Sequence, residues 1–412
     1  MIKMKDSGIP WIGQIPENWE VAKLKNFTKF YSGGTPNVSN QFNYNDNGVS
    51  FVTIKDMSNN YLINKTEKHI TKLGIKEKNL KILNKGTVLY SIYATVGEIS
   101  ELNINATINQ AILALTNLKN INKTFLKYNL LSMKDFVISL SNGNTQFNLN
   151  TEIVKNFYLT TPSFELQQKI VEILDKKCGQ IDKLVRIEEN EIEKLKEYKT
   201  SLITKVVTKG LDPNAKMKDS GIPWIGQIPE DWKVGRLKFY LSEQLKYGAN
   251  ENGIPYDEVN PRYIRITDIL DNNQLTSKKE DMQSLPTEKA IPFMLKKGDL
   301  LFARSGATVG KTFLFLDDSI KSSFAGYLIL ARVNNNLIDY KFLYYYTLSN
   351  SYNKWKNYIF IQATIQNIGA NKYKDLEITI PNTSIQQQIV EYLDKRCEEI
   401  DNLIKIKQEK IE

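Results

Sequence analysis

Apolar residues recur every seven positions between about residues 165 and 208. Glu188 and Lys199 interrupt the two registers of this pattern. Apolar a and d positions sustained over about five heptads predict a coiled-coil helix, and the glycine and proline of "KGLDP" end it. The a-type positions are Val171, Cys178, Val185, Ile192 and Val206, and the d-type positions are Leu174, Ile181, Leu195 and Leu202.

The same spacing returns at the end of the chain, where Lys407 interrupts it as Glu188 does in the first helix. An isolated helix of this kind exposes its apolar stripe, so we predict that the two helices pair as an antiparallel coiled coil. The alternative is that each helix packs only on its own domain. Both cysteines lie in the stripe and are most simply small buried apolar residues. The second stripe comprises Val390, Leu393, Cys397, Ile400, Ile404 and Ile411.

Short apolar runs alternate with polar loops ahead of each predicted helix. The runs "TVLYSI" and "DLLFA" are each followed by Ala-Thr-Val-Gly. An apolar run before a glycine-containing turn is typical of a buried strand that ends in a tight turn. We therefore predict an α+β protein with mixed α/β domains, each followed by a long helix.

The chain contains two copies of one sequence. Residues 4–17, "MKDSGIPWIGQIPE", recur letter for letter at 217–230, and looser matches follow in the same order. A period of roughly 210 residues is too long for a solenoid and indicates two domains of one type with internal pseudo-two-fold symmetry. The predicted boundaries are 1–164 for the first domain, 165–208 for its helix, 209–383 for a linker and the second domain, and 384–412 for a shorter second helix.

The composition is that of a globular protein with a basic surplus. Lys and Arg number 55 against 46 Asp and Glu, which gives a net charge of +9. This surplus favours a polyanionic partner, although abundant lysine and asparagine are also typical of an AT-rich genome. The chain shows neither a long apolar run nor the apolar region of a signal peptide. We therefore expect a cytoplasmic protein without membrane contact.

The stretch "RSGATVGKT", residues 304–312, superficially resembles a phosphate-binding loop. A P-loop has four residues between its first glycine and Gly-Lys-Thr, whereas three residues separate Gly306 from Gly310 here. In the other copy, "YATVGEI" from Tyr93, a tyrosine replaces the first glycine and a glutamate replaces the lysine. A phosphate site would not tolerate both changes, so we interpret the shared residues as a strand and a turn.

No catalytic or metal site is predicted. Asp56 and Asp268 match between the copies, but each stands alone after its strand and is expected to cap a turn. The carboxylate and lysine of "PEDWK" are not kept in its twin "PENWE". His69 and two cysteines are too few for a structural zinc site. A nuclease with duplicated domains would need carboxylates at metal-binding spacing in both copies.

Polar side chains near the ends of the predicted strands are candidates for DNA contact, because Asn and Gln pair with adenine and Arg with guanine. Residues 1–164 contain no arginine, so we predict more contacts from arginine to guanine in the second copy, which contains Arg236, Arg262, Arg265, Arg304 and Arg332. The candidates are Thr53, Lys55, Ser91, Tyr93, Thr95, Asn144 and Gln146 in the first copy, and Arg265, Thr267, Arg304, Ser305, Lys311, Gln362 and Thr364 in the second.

The sequence resembles the specificity subunits of type I restriction-modification enzymes over nearly its whole length. The resemblance lies in the duplicated "MKDSGIPWIGQIPE" segment, the helix openings at Pro162 and Pro381, and "TSLITKVVTKGLDP" from Thr200. It implies a non-catalytic DNA-recognition subunit in which each copy is a target recognition domain for half of a bipartite site. The paired helices would then set the spacing between half-sites and dock the modification subunits.

The resemblance also implies partners. These are double-stranded DNA, two modification (methyltransferase) subunits and two ATP-dependent restriction subunits, with S-adenosylmethionine, ATP and Mg²⁺ bound by the partners and no cofactor bound by this chain. The helix that ends at Glu412 is shorter than its twin and departs from the symmetric pair of the family. A protein-only scaffold remains the alternative, and it predicts no salt-dependent DNA binding.

Overall fold

The computed structural model describes residues 3–58, 60–140, 149–270, 272–306, 308–361 and 367–411. The chain divides into two compact units, Met1–Asp182 and Lys183–Glu412, and the division falls inside one continuous helix. Each unit combines short strands with helices, so the predicted mixed α/β class with two repeats is confirmed. Among the described residues, no helix has the length and apolar composition needed to cross a membrane.

The first unit is built on a five-stranded sheet in the order β4-β11-β8-β9-β6 and a three-stranded sheet in the order β10-β5-β7. Its strands are β1 (Met4–Asp6), β2 (Gln14–Pro16), β3 (Glu20–Lys23), β4 (Lys29–Ser32), β5 (Tyr44–Val52), β6 (Leu62–Ile63), β7 (Lys68–Ile70), β8 (Val88–Ser91), β9 (Ile99–Leu102), β10 (Ala106–Ile108), β11 (Ile112–Thr116) and β12 (Tyr158–Thr161). Its helices are α1 (Ile54–Met57), α2 (Lys72–Glu77), α3 (Lys123–Ser132), α4 (Lys134–Ser139), α5 (Thr151–Lys155) and the start of α6 (Phe164–Lys209).

The second unit has two four-stranded sheets, in the orders β16-β23-β20-β21 and β17-β19-β18-β22. Its strands are β13 (Met217–Asp219), β14 (Gln227–Pro229), β15 (Lys233–Arg236), β16 (Lys246–Tyr247), β17 (Ile254–Pro255), β18 (Arg262–Ile264), β19 (Gln283–Ser284), β20 (Leu300–Ala303), β21 (Thr312–Leu314), β22 (Ser322–Phe324), β23 (Leu328–Ala331) and β24 (Glu377–Ile380). Its helices are α7 (Thr287–Ala290), α8 (Tyr340–Thr347), α9 (Asn350–Ile361), α10 (Ala370–Tyr373) and α11 (Thr383–Glu409).

Matching segments of the two units fold in the same way. The identical stretches at 4–17 and 217–230 form the antiparallel pairs β1-β2 and β13-β14 in the same register. The parallel pair β5-β10 of the first unit corresponds to the parallel pair β18-β22 of the second, and the first unit contains a further parallel pair, β6-β9. The apolar runs that precede Ala-Thr-Val-Gly are β8 and β20, and both strands are buried along their whole length. The sequence repeat is therefore a repeat of tertiary structure.

Helix α11 and the second half of α6 belong to the core of the second unit. Ile203 and Val207 of α6 and Leu393 of α11 are buried in one apolar cluster that also contains Leu300 and Phe302 of β20. Burial raises the pKa of the Cys397 thiol to about 11, as expected for a cysteine that acts as an apolar side chain. Across the predicted stripe, Val390, Leu393, Cys397 and Ile400 are buried, Val171, Leu174, Cys178, Val185 and Ile404 are half-buried, and Ile181 is 58% exposed.

Two sets of ion pairs join α6 to α11. Lys199 lies 2.6 Å from the Asp401 carboxylate. Lys407 lies 2.8 Å from Glu188 and also pairs with Glu191. The contacts advance along α6 as they retreat along α11, so these helix segments run in opposite directions. The two charged residues that interrupt the heptads, Glu188 and Lys407, thus face each other.

Candidate nucleic-acid interface

In the first unit, the predicted residues after β5 and those after β8 lie on neighbouring loops. Met57 and Asn60 from one loop and Gly97 and Glu98 from the other line a common cavity of about 190 Å³. The Ser100 hydroxyl donates to the Asn60 carbonyl oxygen at 2.6 Å, which joins β9 to the first loop. Two candidate segments that are distant in sequence thus form one surface.

The turn after β8 uses one of its candidates internally and exposes another. The Ser91 side chain is fully buried, donates to the Thr95 carbonyl oxygen, and accepts from the Glu98 amide at 2.9 Å. Within the described ranges, the half-buried Thr95 hydroxyl has no hydrogen-bond partner. Tyr93 is 37% exposed at the tip of the turn. Ser91 shapes the turn, whereas Tyr93 is accessible to a ligand.

The loop after β5 begins with a helix cap. Asp56 accepts from the Thr53 amide at 2.8 Å and from the Thr53 hydroxyl at 2.7 Å, so Thr53 serves α1. The equivalent Asp268 accepts from the Arg265 amide at 2.9 Å. Both aspartates therefore cap turns, as their isolation in sequence indicates. Lys55 is exposed and pairs with Glu67 at 2.8 Å.

The second unit brings its corresponding loops together as well. A Cβ added at Gly306, in the turn after β20, would lie 3.7 Å from the Ile266 side chain in the loop after β18. In that loop Arg265 donates to Asp268 at 2.7 Å and to the Asp281 carbonyl oxygen at 2.6 Å. Thr267 beside it is exposed. Arg265 is thus paired within the protein, although its side chain remains partly accessible.

Arg304 is the first residue after β20, and the backbone fixes its position. Its amide donates to the Tyr327 carbonyl oxygen at 3.0 Å, and its carbonyl oxygen accepts from the Ile368 amide at 2.9 Å. The adjacent Ser305 forms an antiparallel bridge with Asn367. Three chain segments therefore meet at this residue.

Ile92 occupies the equivalent position in the first unit. Its amide donates to Ala111 at 2.9 Å, and its carbonyl oxygen accepts from Leu149 at 3.0 Å, which is the pattern at Arg304. Ile92 is 3% exposed, whereas Arg304 is half-buried. The two units thus keep the same backbone framework around the turn and differ in the side chain that it holds.

Two lysines missing from the sequence prediction approach the glycine at the end of this turn. Gly97 and Gly310 both have positive φ, which favours glycine. A Cβ at Gly310 would overlap the Lys356 side chain, and one at Gly97 would lie 3.9 Å from the Cγ of Lys134. Burial lowers the pKa of Lys356. The number of residues between Gly97 and Lys134 differs from the number between Gly310 and Lys356. Comparison of the two copies of the sequence therefore does not reveal these lysines.

Tyr247 on β16 was also missed, because its neighbour in the fold is distant in sequence. Its ring centroid lies 4.9 Å from the Arg304 guanidinium carbon. Lys311, a predicted contact, is half-buried beside the same turn. The remaining predicted residues, Asn144, Gln146, Gln362 and Thr364, lie outside the described residues.

Comparison with known proteins matches both units to one family. The model of the type I restriction modification DNA specificity domain matches residues 16–197 and again residues 229–412. The MjaVIII specificity subunit of Methanocaldococcus jannaschii, a type I restriction enzyme subunit, is 25% identical over 97% of this chain and 90% of its own. The MjaIX specificity subunit of the same organism is 23% identical over 95% and 89%.

A solved structure shares the fold. It comes from a study of complex assembly and conformational transition of the type I restriction-modification system, with a TM-score of 0.66, 16% identity, and coverage of 96% of this chain and 94% of that one. The shared fold and the match of the family model to each half of the chain agree with the arrangement of strands and turns that both units repeat. The chain therefore belongs to the type I restriction-modification DNA specificity family and is a non-catalytic DNA-recognition subunit.

Proposed function

We propose that this chain recognises a bipartite site in double-stranded DNA, with one unit for each half-site. The observation that carries the proposal is the conserved framework at Ile92 and Arg304, where identical backbone bonds hold different side chains. Two domains that recognise different half-sites need the same backbone scaffold but different residues in contact with the DNA. The contact residues would come from the loops after β5, β8, β18 and β20, within recognition domains at 1–164 and 209–383.

Helices α6 and α11 would pair as an antiparallel coiled coil, with segments at 165–208 and 384–412. The ion pairs from Lys199 to Asp401 and from Lys407 to Glu188, together with burial of Leu393, support this pairing. A rigid pair of helices fixes how many base pairs lie unread between the half-sites, at about 3.4 Å per base pair.

The helices would also dock the modification subunits. Apolar side chains remain exposed along the first half of α6, including Ile173, Ile181 and Leu184 at 58–62% exposure. Exposed apolar surface of this kind is typical of protein interfaces. The assembly would contain two modification subunits and, in its full form, two restriction subunits in the cytoplasm. S-adenosylmethionine, ATP and Mg²⁺ would be bound by these partners.

The test is to co-express the chain with its cognate modification subunit in a host that lacks DNA methylation and to map methylated bases across the genome. We expect a single bipartite motif with a fixed gap, which disappears when this chain is omitted. Methylation at one undivided motif, or methylation that persists without this chain, would contradict the proposal.

A protein-only scaffold is distinguished by the salt dependence of DNA binding. Phosphate contacts release counterions, so the logarithm of the affinity should fall linearly with the logarithm of salt concentration by about 0.9 for each neutralised phosphate. We expect such a slope for the complex on DNA that contains the mapped site. A complex that assembles with the modification subunit but shows no salt-dependent binding would support the scaffold.

A further inference from the structure

Arg304 and Tyr247 form a fixed pair in the second unit. The guanidinium carbon lies 4.9 Å from the centre of the tyrosine ring, within the range of a cation–π contact. Tyr247 is held in turn, because its hydroxyl oxygen accepts a hydrogen bond from the Ala370 amide at 2.9 Å. The backbone of Arg304 is fixed by its bonds to Tyr327 and Ile368. Little conformational freedom therefore remains for the guanidinium to lose on binding.

The first unit contains neither member of this pair. Tyr247 lies opposite Ile329 in the sheet of the second unit, and Ile329 lies opposite Phe302 on its other side. The matching register in the first unit places Ser32 opposite Leu113, the counterpart of Ile329. Ser32 and Ile92 thus stand where the second unit has Tyr247 and Arg304. The pair distinguishes the two units at a position where their backbones agree.

The other arginines of the second copy between residues 236 and 332 are engaged within the second unit. Among the described residues, no carboxylate pairs with Arg304, and its Nε atom is buried without a hydrogen-bond acceptor. Unlike the other arginines of this domain, Arg304 is therefore not committed to an ion pair or a carbonyl oxygen within the described part of the unit. The engaged arginines are Arg236 with Asp375, Arg262 with the Thr276 carbonyl oxygen, Arg265 with Asp268, and Arg332 with Asp299 and Glu243.

We propose that Arg304, supported by Tyr247, determines recognition of a guanine in the half-site bound by the second unit. The first unit makes no such contact at the same position, because the Ile92 side chain has no hydrogen-bond donor. A planar guanidinium can donate two hydrogen bonds to O6 and N7 of guanine in the major groove, which no other base accepts in the same way. This inference rests on the proposed function and adds to it the residue and the base.

The experiment compares wild-type, Arg304→Ile and Tyr247→Ser chains in the methylation assay described above. The substitutions install the residues that the first unit carries at the same positions. In the wild type, we expect a guanine in one half-site. In Arg304→Ile, we expect the preference for that guanine over other bases to fall about 5- to 150-fold, the discrimination of one bidentate contact. We expect a smaller fall in Tyr247→Ser, because the arginine remains without its support.

The other half-site should stay unchanged in both variants, which shows that the chain still folds and assembles. The matched control is Arg236→Ile, because this exposed arginine lies on β15, outside the four loops proposed to contact DNA, and pairs with Asp375. Its motif should equal that of the wild type. The inference is overturned if Arg304→Ile keeps the full guanine preference or if neither wild-type half-site contains guanine. If Arg304→Ile abolishes methylation, the Tyr247→Ser variant provides the test. A weaker preference for guanine in that variant supports the inference, and an unchanged preference overturns it. A wild type with no bipartite motif contradicts the proposed function itself.

Discussion

A buried glutamine at the start of each long helix explains part of the repeated sequence. Gln386 is fully buried, donates to the Pro381 carbonyl oxygen at 2.9 Å, and accepts from the Asp339 amide at 2.7 Å. Gln167 is likewise buried and makes the corresponding two bonds in the first unit. One side chain thus joins the start of a long helix to the N-cap residue of an earlier helix, Asn122 of α3 or Asp339 of α8.

We predict that Gln386→Leu destabilises the second unit by about 2–4 kcal/mol, because it leaves a buried donor and a buried acceptor without partners. The measurement is equilibrium urea unfolding followed by tryptophan fluorescence. The neighbouring Gln387 is exposed, so Gln387→Leu should change stability by less than about 0.5 kcal/mol. Equal effects of the two substitutions would argue against a structural role for the buried amide.

At the scale of the helices, the charged residues that interrupt the heptads determine how α6 and α11 align with each other. Glu188 and Lys407 occupy equivalent positions in the two copies and lie 2.8 Å apart. Lys199, the other interruption, pairs with Asp401. Charged pairs at such positions favour one register and one orientation of two helices. The departures from the apolar pattern therefore select how α6 and α11 align.

The hydrogen bond from Lys407 holds the pKa of Glu188 below its ordinary value of 4.5. Because the pKa of Glu188 is lower in the folded than in the unfolded chain, its ion pair stabilises the folded state fully above pH 4.5. This stabilisation is lost as the pH falls through the folded-state pKa. We therefore expect Glu188→Gln to lower the melting temperature at pH 7 and to match the wild type at strongly acidic pH. The measurement is thermal unfolding followed by circular dichroism at both pH values.

Two further variants test the origin of this effect. Glu189→Gln, which alters the exposed neighbour, should leave the melting temperature unchanged at both pH values. The double exchange Glu188→Lys with Lys407→Glu should recover stability that Glu188→Lys alone loses, because it restores the pair with reversed charges. A double exchange no more stable than the single one would show that the pair contributes nothing.

For the whole molecule, the proposed spacing function depends on the length of α6 before its contacts with α11 begin. The earliest of the α6–α11 ion pairs along α6 is at Glu188, which contacts Lys407 and Lys410. An insertion between Asp182 and Lys183 therefore precedes these contacts. Seven residues are two helical turns and keep the heptad register while adding about 10 Å.

We predict that this insertion lengthens the gap in the methylated motif by about three base pairs and leaves both half-sites unchanged. Genome-wide methylation mapping provides the measurement. Seven residues inserted after Asn335, in an exposed loop between β23 and α8, should leave the gap as it is. An unchanged gap after the helix insertion would mean that α6 does not set the spacing.

The sequence by itself determined the duplicated organisation, the two long helices, the mixed α/β class and the family. These features follow from local periodicity and from exact or near-exact repetition, such as residues 4–17 and 217–230, so they need no knowledge of distant contacts. The sequence also identified Asp56 and Asp268 as turn caps, because a cap bonds to residues only a few positions away.

Only the tertiary structure decided which candidate side chains remain available to DNA. Ser91 and Arg265 look similar to Tyr93 and Arg304 as candidates in the sequence, yet the first two bond within the protein. Arg304 is positioned by strands and loops far away along the chain, including Tyr247. Burial and hydrogen-bond partners arise from such long-range packing. No local sequence pattern could therefore distinguish the residues that stabilise the turns from those that the turns leave accessible to DNA.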